Sequence, residues 1–326
     1  MNEIRPRRIR NDSNLRNLTR ETRLSERSLI LPLFVKEGQN IKEPIEALEG
    51  HYYYSPDSVF SAVEEALDRH INSVLLFGLP QHKDELGSEA YHEHGVVQEA
   101  VRQIKERYPQ MMVITDVCMC EYTSHGHCGI IKAGRVDNDE TLPYIARTAL
   151  SHIRAGADMV APSDMMDGRV GAIRKVLDDN GYSDKPILSY TAKYASAYYG
   201  PFREVAKSAP AFGDRKSYQM DYHNAREALK EALLDIGEGA DILMVKPALS
   251  YLDIISKLKE NTNYPVCAYS VSGEYAMLKA AAKMGYLNEY NAMCESTVSI
   301  FRAGADMLIT YYAGEIASAI RKGDIG

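Results

Sequence analysis

Eight short apolar runs, separated by longer amphipathic stretches, limit what this chain can fold into more than any other feature. The runs are 29–35 (LILPLFV), 73–79 (SVLLFGL), 111–115 (MMVIT), 158–163 (DMVAPS), 186–190 (PILSY), 241–247 (DILMVKP), 265–269 (PVCAY) and 306–312 (DMLITYY). They do not alternate polar and apolar residues, as strands with one wet face would. This is the pattern of parallel strands covered on both sides. The intervening segments keep a helical period: Val59, Val63, Ala66 and Leu67 form one stripe; Leu142, Ile145, Ala149 and Ile153 another; Ala225, Ala228, Leu229, Ala232 and Ile236 a third. Three joints repeat as well. RAGADMV (154–160), GEGADIL (237–243) and RAGADML (302–308) each read as a helix closed by glycine and followed by a strand. Eight strands alternating with helices predict a (β/α)8 TIM barrel of the α/β class. The competing fold, a doubly wound open sheet, usually carries G-x-G-x-x-G after its first strand, and VKEGQNIKEP (35–44) does not.

At 326 residues the chain has the length of one such barrel, and 45% hydrophobic residues suffice for its core. The first 27 residues differ: eight arginines face four acidic side chains, whereas the whole chain carries a net charge of −7. We read 1–27 as an N-terminal arm, either a solvated tail or a strap lying on an acidic neighbouring subunit, and 28–326 as a single barrel. The overall acidity argues against general nucleic-acid binding. No apolar run reaches the ~18 residues of a membrane span, and the polar start lacks the apolar stretch of a secretory signal. Five cysteines, an odd count in a long chain, suit a reducing cytoplasm better than a disulfide framework.

Barrels place their chemistry on the loops at the carboxyl ends of the strands. After the third run comes DVCMCEYTSHGHCG (116–129), with Cys118, Cys120 and Cys128 spaced C-x-C-x7-C. Three thiolates suit Zn2+ and leave one coordination place for water or substrate; His125 or His127 could close that place in a structural site. A C-x-C redox pair is the weaker reading, because a third cysteine stands in the same loop. Lys246 ends the sixth run among apolar neighbours, where a charged amine is costly, so its pKa should fall and its amine become nucleophilic toward a carbonyl. Lys193 is expected just beyond the fifth strand, beside it, each amine discouraging protonation of the other. The segment 194–220, rich in Gly, Pro and Tyr, reads as a mobile lid carrying Arg203, Arg215 and Lys216. Guanidinium groups match carboxylates, so an acidic substrate is implied. Ser272 and Tyr311 offer neutral donors for a second carboxylate.

At these residues the chain closely resembles the porphobilinogen synthase (delta-aminolevulinic acid dehydratase) family. The resemblance rests on DVCMCEYTSHGHCG, PSDMMDGR, SYTAKYASAYYGPFR, GDRKSYQM, LMVKPALSYLDI, YSVSGEYAM and LITYYA, and it runs from about Arg5 to the C-terminus. It implies a lyase that joins two molecules of 5-aminolevulinate, with loss of two waters, into porphobilinogen for tetrapyrrole and haem biosynthesis. It further implies a Schiff base on Lys246 for the propionate-side substrate and on Lys193 for the acetate-side one. By the same resemblance, Arg203, Arg215 and Gln219 hold the acetate-side carboxylate, and Ser272 and Tyr311 the other. Cys118, Cys120 and Cys128 match the zinc-dependent branch, and Glu231 matches a glutamate that binds an activating Mg2+ in some bacterial members. A homo-octamer embraced by N-terminal arms is the assembly implied. Asp116, Asp164 and zinc-bound water all stay open as the proton-transfer group. Another Schiff-base lyase, such as an aldolase on the same barrel, is the alternative; it would need one lysine and no thiolate metal site.

Overall fold

Every predicted apolar run becomes a strand of one parallel sheet in the computed structural model, which describes residues 3–326. In chain order these are β1 (Leu29–Lys36), β2 (Ser73–Leu79), β3 (Met112–Val117), β4 (Met159–Pro162), β5 (Leu188–Lys193), β6 (Ile242–Lys246), β7 (Val266–Ser270) and β8 (Met307–Thr310). Each pairs with its neighbours in sequence, and β8 returns to β1 through Leu29↔Leu308 and Ile30↔Ile309. The ring closes between β4 and β5 by a single parallel bridge, Val160↔Ile187. The fold is therefore a TIM barrel. Before β1 lie a 3-10 turn (Pro6–Arg10) and the short helix α1 (Ser13–Leu18), neither with a buried residue. Arg20 ties this segment to the other end of the chain by donating to the carbonyls of Asp324 and Gly326 at 3.4 Å.

Helices α2 (Phe60–Asp68), α3 (Val96–Arg107), α4 (Asn138–Arg154), α5 (Arg169–Asp179), α6 (Gly200–Val205), α7 (Arg226–Glu238), α8 (Leu252–Asn261), α9 (Ser272–Lys283), α10 (Glu289–Arg302) and α11 (Ala313–Arg321) follow the strands. The stripes read from the sequence face inward: Val63 and Ala66 of α2, Ile145, Ala149 and Ile153 of α4, and Ala228 and Ala232 of α7 are buried. Each large aliphatic side chain so buried contributes about 1.5–3 kcal/mol, so a charge at Val63 or Ile153 would open the helix–sheet layer.

The three repeated joints have a physical reason beyond their glycine. Gly239 closes α7 at φ 104°, a conformation that side chains resist, and Gly156 and Gly304 close α4 and α10 in the same way. The aspartate two residues later then accepts a backbone N–H at the start of the adjacent strand. Asp158 takes Val113 N–H, Asp241 takes Ile187 N–H and Asp306 takes Val266 N–H, each at 2.8 Å. Lys105 and Lys259 neutralise two of these carboxylates. GAD is thus a closure device for the lower rim of the barrel, leaving the upper rim free for chemistry.

Candidate active site

The ladder between β5 and β6 sets Lys193 directly opposite Lys246, each the last residue of its strand. This corrects the expectation that Lys193 lies beyond the fifth strand: the ladder runs three residues past the apolar run, because Ala192 and Lys193 still find partners on β6. Both amines are almost wholly buried, and both stand over the ring of Tyr190, at 5.5 Å for Lys193 and 5.1 Å for Lys246. Lys193 donates to the carbonyl of Ser163 at 2.5 Å. Lys246 sits in an aromatic box, 4.4 Å from the ring centre of Tyr269, 5.1 Å from Phe202 and 5.2 Å from Tyr199. Ring faces attract a cation, yet burial costs more. Burial first, and then the charge of Lys193, bring the Lys246 pKa down to about 7. At neutral pH a large fraction of this amine carries a lone pair.

Beside the lysines, the sulfurs of Cys118, Cys120 and Cys128 lie within 4.8 Å of one another, all buried. Hydrogen bonds from the Cys118 and Cys120 thiols hold the Cys128 thiol well below its usual pKa, while burial pushes the Cys118 thiol up. Three converging buried sulfurs form a donor set suited to a thiophilic cation. The two histidines face elsewhere, against the expectation that one could serve as fourth ligand. His127 is 3.0 Å from the Tyr218 hydroxyl through Nδ1 and 2.9 Å from the Phe212 carbonyl through Nε2. His125 Nδ1 accepts the His127 N–H at 3.1 Å. Neither imidazole joins the three sulfurs, whereas the Glu121 carboxylate lies 3.2 Å from the Cys120 sulfur.

The segment after β5 covers this floor. Phe202, Arg203, Arg215 and Gln219 line one cavity with Lys193, Lys246, Asp116, Cys120, Glu121 and Ser163. The segment packs tightly over the floor and leaves only about 10 Å3 of free space between these side chains. A larger hollow of about 850 Å3, between α2 and α11, contains neither lysine and none of the three cysteines. Inside the closed cavity several buried polar atoms have no partner: Nε of Arg203, Nε of Arg215 and both amide atoms of Gln219. Buried donors are rarely left empty. Two guanidinium groups and an amide with spare valences form a hollow for an anion. Arg203 shows the strain of that arrangement, its pKa lowered by burial and then by the charge of Arg215.

Ser272 and Tyr311 stand one layer back. The Ser272 hydroxyl accepts the Phe202 N–H at 2.9 Å, and the Tyr311 hydroxyl is 3.3 Å from that of Tyr269, whose ring forms one wall of the Lys246 box. The two proton-transfer candidates also separate. Asp116 lines the cavity, accepts from the Ser163 hydroxyl at 3.2 Å, and is pushed up to about 8 by burial and then by the nearby charge of Glu121. Asp164 turns away toward Arg169, 3.9 Å off, and is pushed up to about 6 by burial. Glu231 lies apart on α7, half-buried, its pKa raised by burial and then by Asp235 and Asp167. The sequence reading missed the aromatic box of Tyr190, Tyr199, Phe202 and Tyr269; the tyrosine-rich SYTAKYASAYYG was its only signal.

Two buried amines in register, a thiol triad and unpartnered guanidinium and amide groups place the chemistry of a barrel enzyme at the carboxyl ends of its strands. The profile of the delta-aminolevulinic acid dehydratase family matches residues 3–319. Delta-aminolevulinic acid dehydratase of Methanothermobacter thermautotrophicus is 56% identical over 318 residues, covering 97% of each chain. The enzyme of Archaeoglobus fulgidus is 54% identical over 319 residues, covering 98% of each. The crystal structure of the Toxoplasma gondii ME49 enzyme in complex with its reaction product porphobilinogen superposes with a TM-score of 0.94 at 44% identity, over 97% of this chain and 91% of that one. The chain belongs to the delta-aminolevulinic acid dehydratase family. It is a lyase.

Proposed function

We propose that this enzyme condenses two molecules of 5-aminolevulinate into porphobilinogen, with Lys246 and Lys193 each capturing one substrate. The observation that carries the reading is the register pair: two buried amines at the ends of adjacent strands, opening into one cavity. Each free amine attacks a ketone, the ketone oxygen leaves as water, and the protonated imine draws electrons from the neighbouring carbon. One carbon–carbon and one carbon–nitrogen bond then close the pyrrole, and both lysines are released. The two waters lost account for the two ketone oxygens. Holding both substrates side by side makes the condensation effectively unimolecular.

Arg203, Arg215 and Gln219 receive the acetate-side carboxylate, which supplies the partners their buried atoms lack. Ser272 and Tyr311 take the propionate-side carboxylate after the lid shifts, since the Ser272 hydroxyl now accepts from the Phe202 backbone. Asp116, facing both amines, holds the proton that one imine or the departing water needs. Cys118, Cys120 and Cys128 would hold Zn2+, which supplies Lewis acidity toward an oxygen or amine of the substrate. Glu231 is proposed as a Mg2+ site on its half-buried carboxylate, with Asp235 and Asp167 nearby and Arg169 paired to Asp235. The arginine-rich arm is proposed to lie on a second, acidic barrel in a homo-octamer, with the enzyme in the cytoplasm; no helix among the described residues is long and apolar enough to cross a membrane.

An aldolase-like reading needs one lysine only and leaves the thiols idle. Formation of a pyrrole from 5-aminolevulinate by the purified enzyme, lost on chelation and restored by Zn2+, is the expected result. No pyrrole at any metal loading would overturn the assignment.

A further inference from the structure

Glu274 is a buried carboxylate that the reaction above does not use. Only 3% of it is exposed, and no cation among the described residues pairs with it. Its partners are backbone N–H groups from two different strand ends. Oε2 accepts from Val271 at 2.6 Å and from Ala248 at 3.4 Å, and Oε1 accepts from Leu249. Val271 immediately precedes Ser272, the first residue of α9. Ala248 and Leu249 follow Lys246 by two and three residues. One side chain thus joins the turn after Lys246 to the turn before Ser272.

The same corner is braced from the lid. Ser272 Oγ accepts the Phe202 N–H, and a Cβ on Gly273 would collide with the Tyr198 backbone, so the first turn of α9 is packed against the lid. Nothing else in this corner spans β6 and α9 through a charged group. A carboxylate accepting several N–H groups makes strong, directional bonds, and inside the protein they are not weakened by water.

We propose that Glu274 is a positioning residue for the Lys246 half-site: it fixes the separation between the Lys246 amine and the Ser272 hydroxyl, and so selects keto acids whose carboxylate and ketone are spaced to match. The inference rests on the reading that Lys246 captures the substrate whose carboxylate meets Ser272. A keto acid held at both ends has a fixed internal length. If the amine and hydroxyl drift relative to each other, the carbonyl leaves attack distance, and misplacement of ~1 Å costs up to about 10²-fold. Lys193 is held on its other side by the Ser163 carbonyl, a contact that Glu274 does not touch, and should not respond.

The test compares wild type, Glu274→Gln and Glu274→Asp after incubation with 5-aminolevulinate and borohydride, with adducts at each lysine counted by mass spectrometry. Glu274→Gln turns one acceptor into a donor facing N–H groups. Glu274→Asp keeps the charge but is one methylene short of spanning both turns, so the pair separates loss of reach from failure to fold. The expected result in both variants is adduct formation on Lys246 slowed about tenfold or more, within the range that misplacement produces, with Lys193 labelling within about twofold of wild type and a raised KM. Equal loss at both lysines, or no loss at either, would overturn the proposal and mark Glu274 as structural only. Absence of label on Lys246 in the wild type would instead remove the reading on which it rests.

Discussion

The floor and the lid of this site are held by different means. On the floor, Lys193 and Lys246 owe their places to backbone register between two parallel strands, inside a core that fixes every residue around them. In the lid, Arg215 and the chain around it owe their places to contacts with a distant loop. The Ala211 N–H donates to the His125 carbonyl at 2.9 Å, Arg215 donates to the Gly126 carbonyl at 2.9 Å, and His127 meets both Phe212 and Tyr218. The loop that grips the lid is the one that carries the three cysteines. The amines are therefore rigid by construction, whereas the carboxylate hollow depends on how the thiol loop is organised. The two amines sit on strands, and the guanidinium groups sit on a segment latched to the cysteine loop.

The largest contrast should come from the amines. Lys246→Met or Lys193→Met should reduce turnover at least about 10³-fold, since an imine-forming nucleophile and its positioning are lost together. Lys246→Met should also raise the Tm at pH 6. The sign follows from proton linkage: the folded-state pKa is about 7 against 10.5 for an ordinary lysine, so the unfolded chain binds more protons between those values. Stability therefore rises with pH across that window, and below about pH 7 the full cost of burying the charge is present. Removing the amine relieves that cost. A lower Tm would show that the floor is stabilised, not strained, by its lysine.

Cys120→Ala comes next. It should lower zinc content and activity together and, if the thiol loop latches the lid, speed proteolytic cleavage within 206–214 while leaving the barrel intact. Unchanged cleavage would separate the loop from the lid and break the comparison.

How much of this was legible in the chain also divides along the same line. The eight strands could be read because doubly covered strands need unbroken apolar runs, and Lys246 announced itself as a charge inside one of them. The thiol triad was legible because C-x-C-x7-C is a local spacing. The latch was not, because His127 meets Phe212 and Tyr218, 85 and 91 residues away in sequence, and nothing local marks such a contact. For the same reason His125 and His127 read as candidate metal ligands. Ser272 and Tyr311 could be placed at strand ends, but that the lid backbone occupies the Ser272 hydroxyl is a property of the closed fold. The GAD aspartates repeated in plain view, and only the ladder explains them.

Smaller effects test the hollow. Arg215→Ala should raise KM about tenfold to hundredfold, the worth of one charge-assisted hydrogen bond, with a smaller change in kcat. Arg203→Ala should do less, being partly exposed and its charge already disfavoured by burial and then by Arg215. Equal effects on kcat and KM would place these arginines in the chemistry instead of in binding. The subtlest prediction is a pH shift. Trapping at Lys246 should fall as pH drops through about 7, and Lys193→Met should move that limb to higher pH, because the charge that disfavours Lys246 protonation is gone. A limb that stays in place would mean that burial alone sets the Lys246 pKa.

The most direct measurement is borohydride trapping of the wild-type enzyme with 5-aminolevulinate, followed by mass-spectrometric mapping. Two cooperating imines predict substrate adducts on both Lys193 and Lys246 and on no other lysine. Pyrrole formation with neither lysine labelled, or with label confined to lysines outside the barrel mouth, would contradict the account.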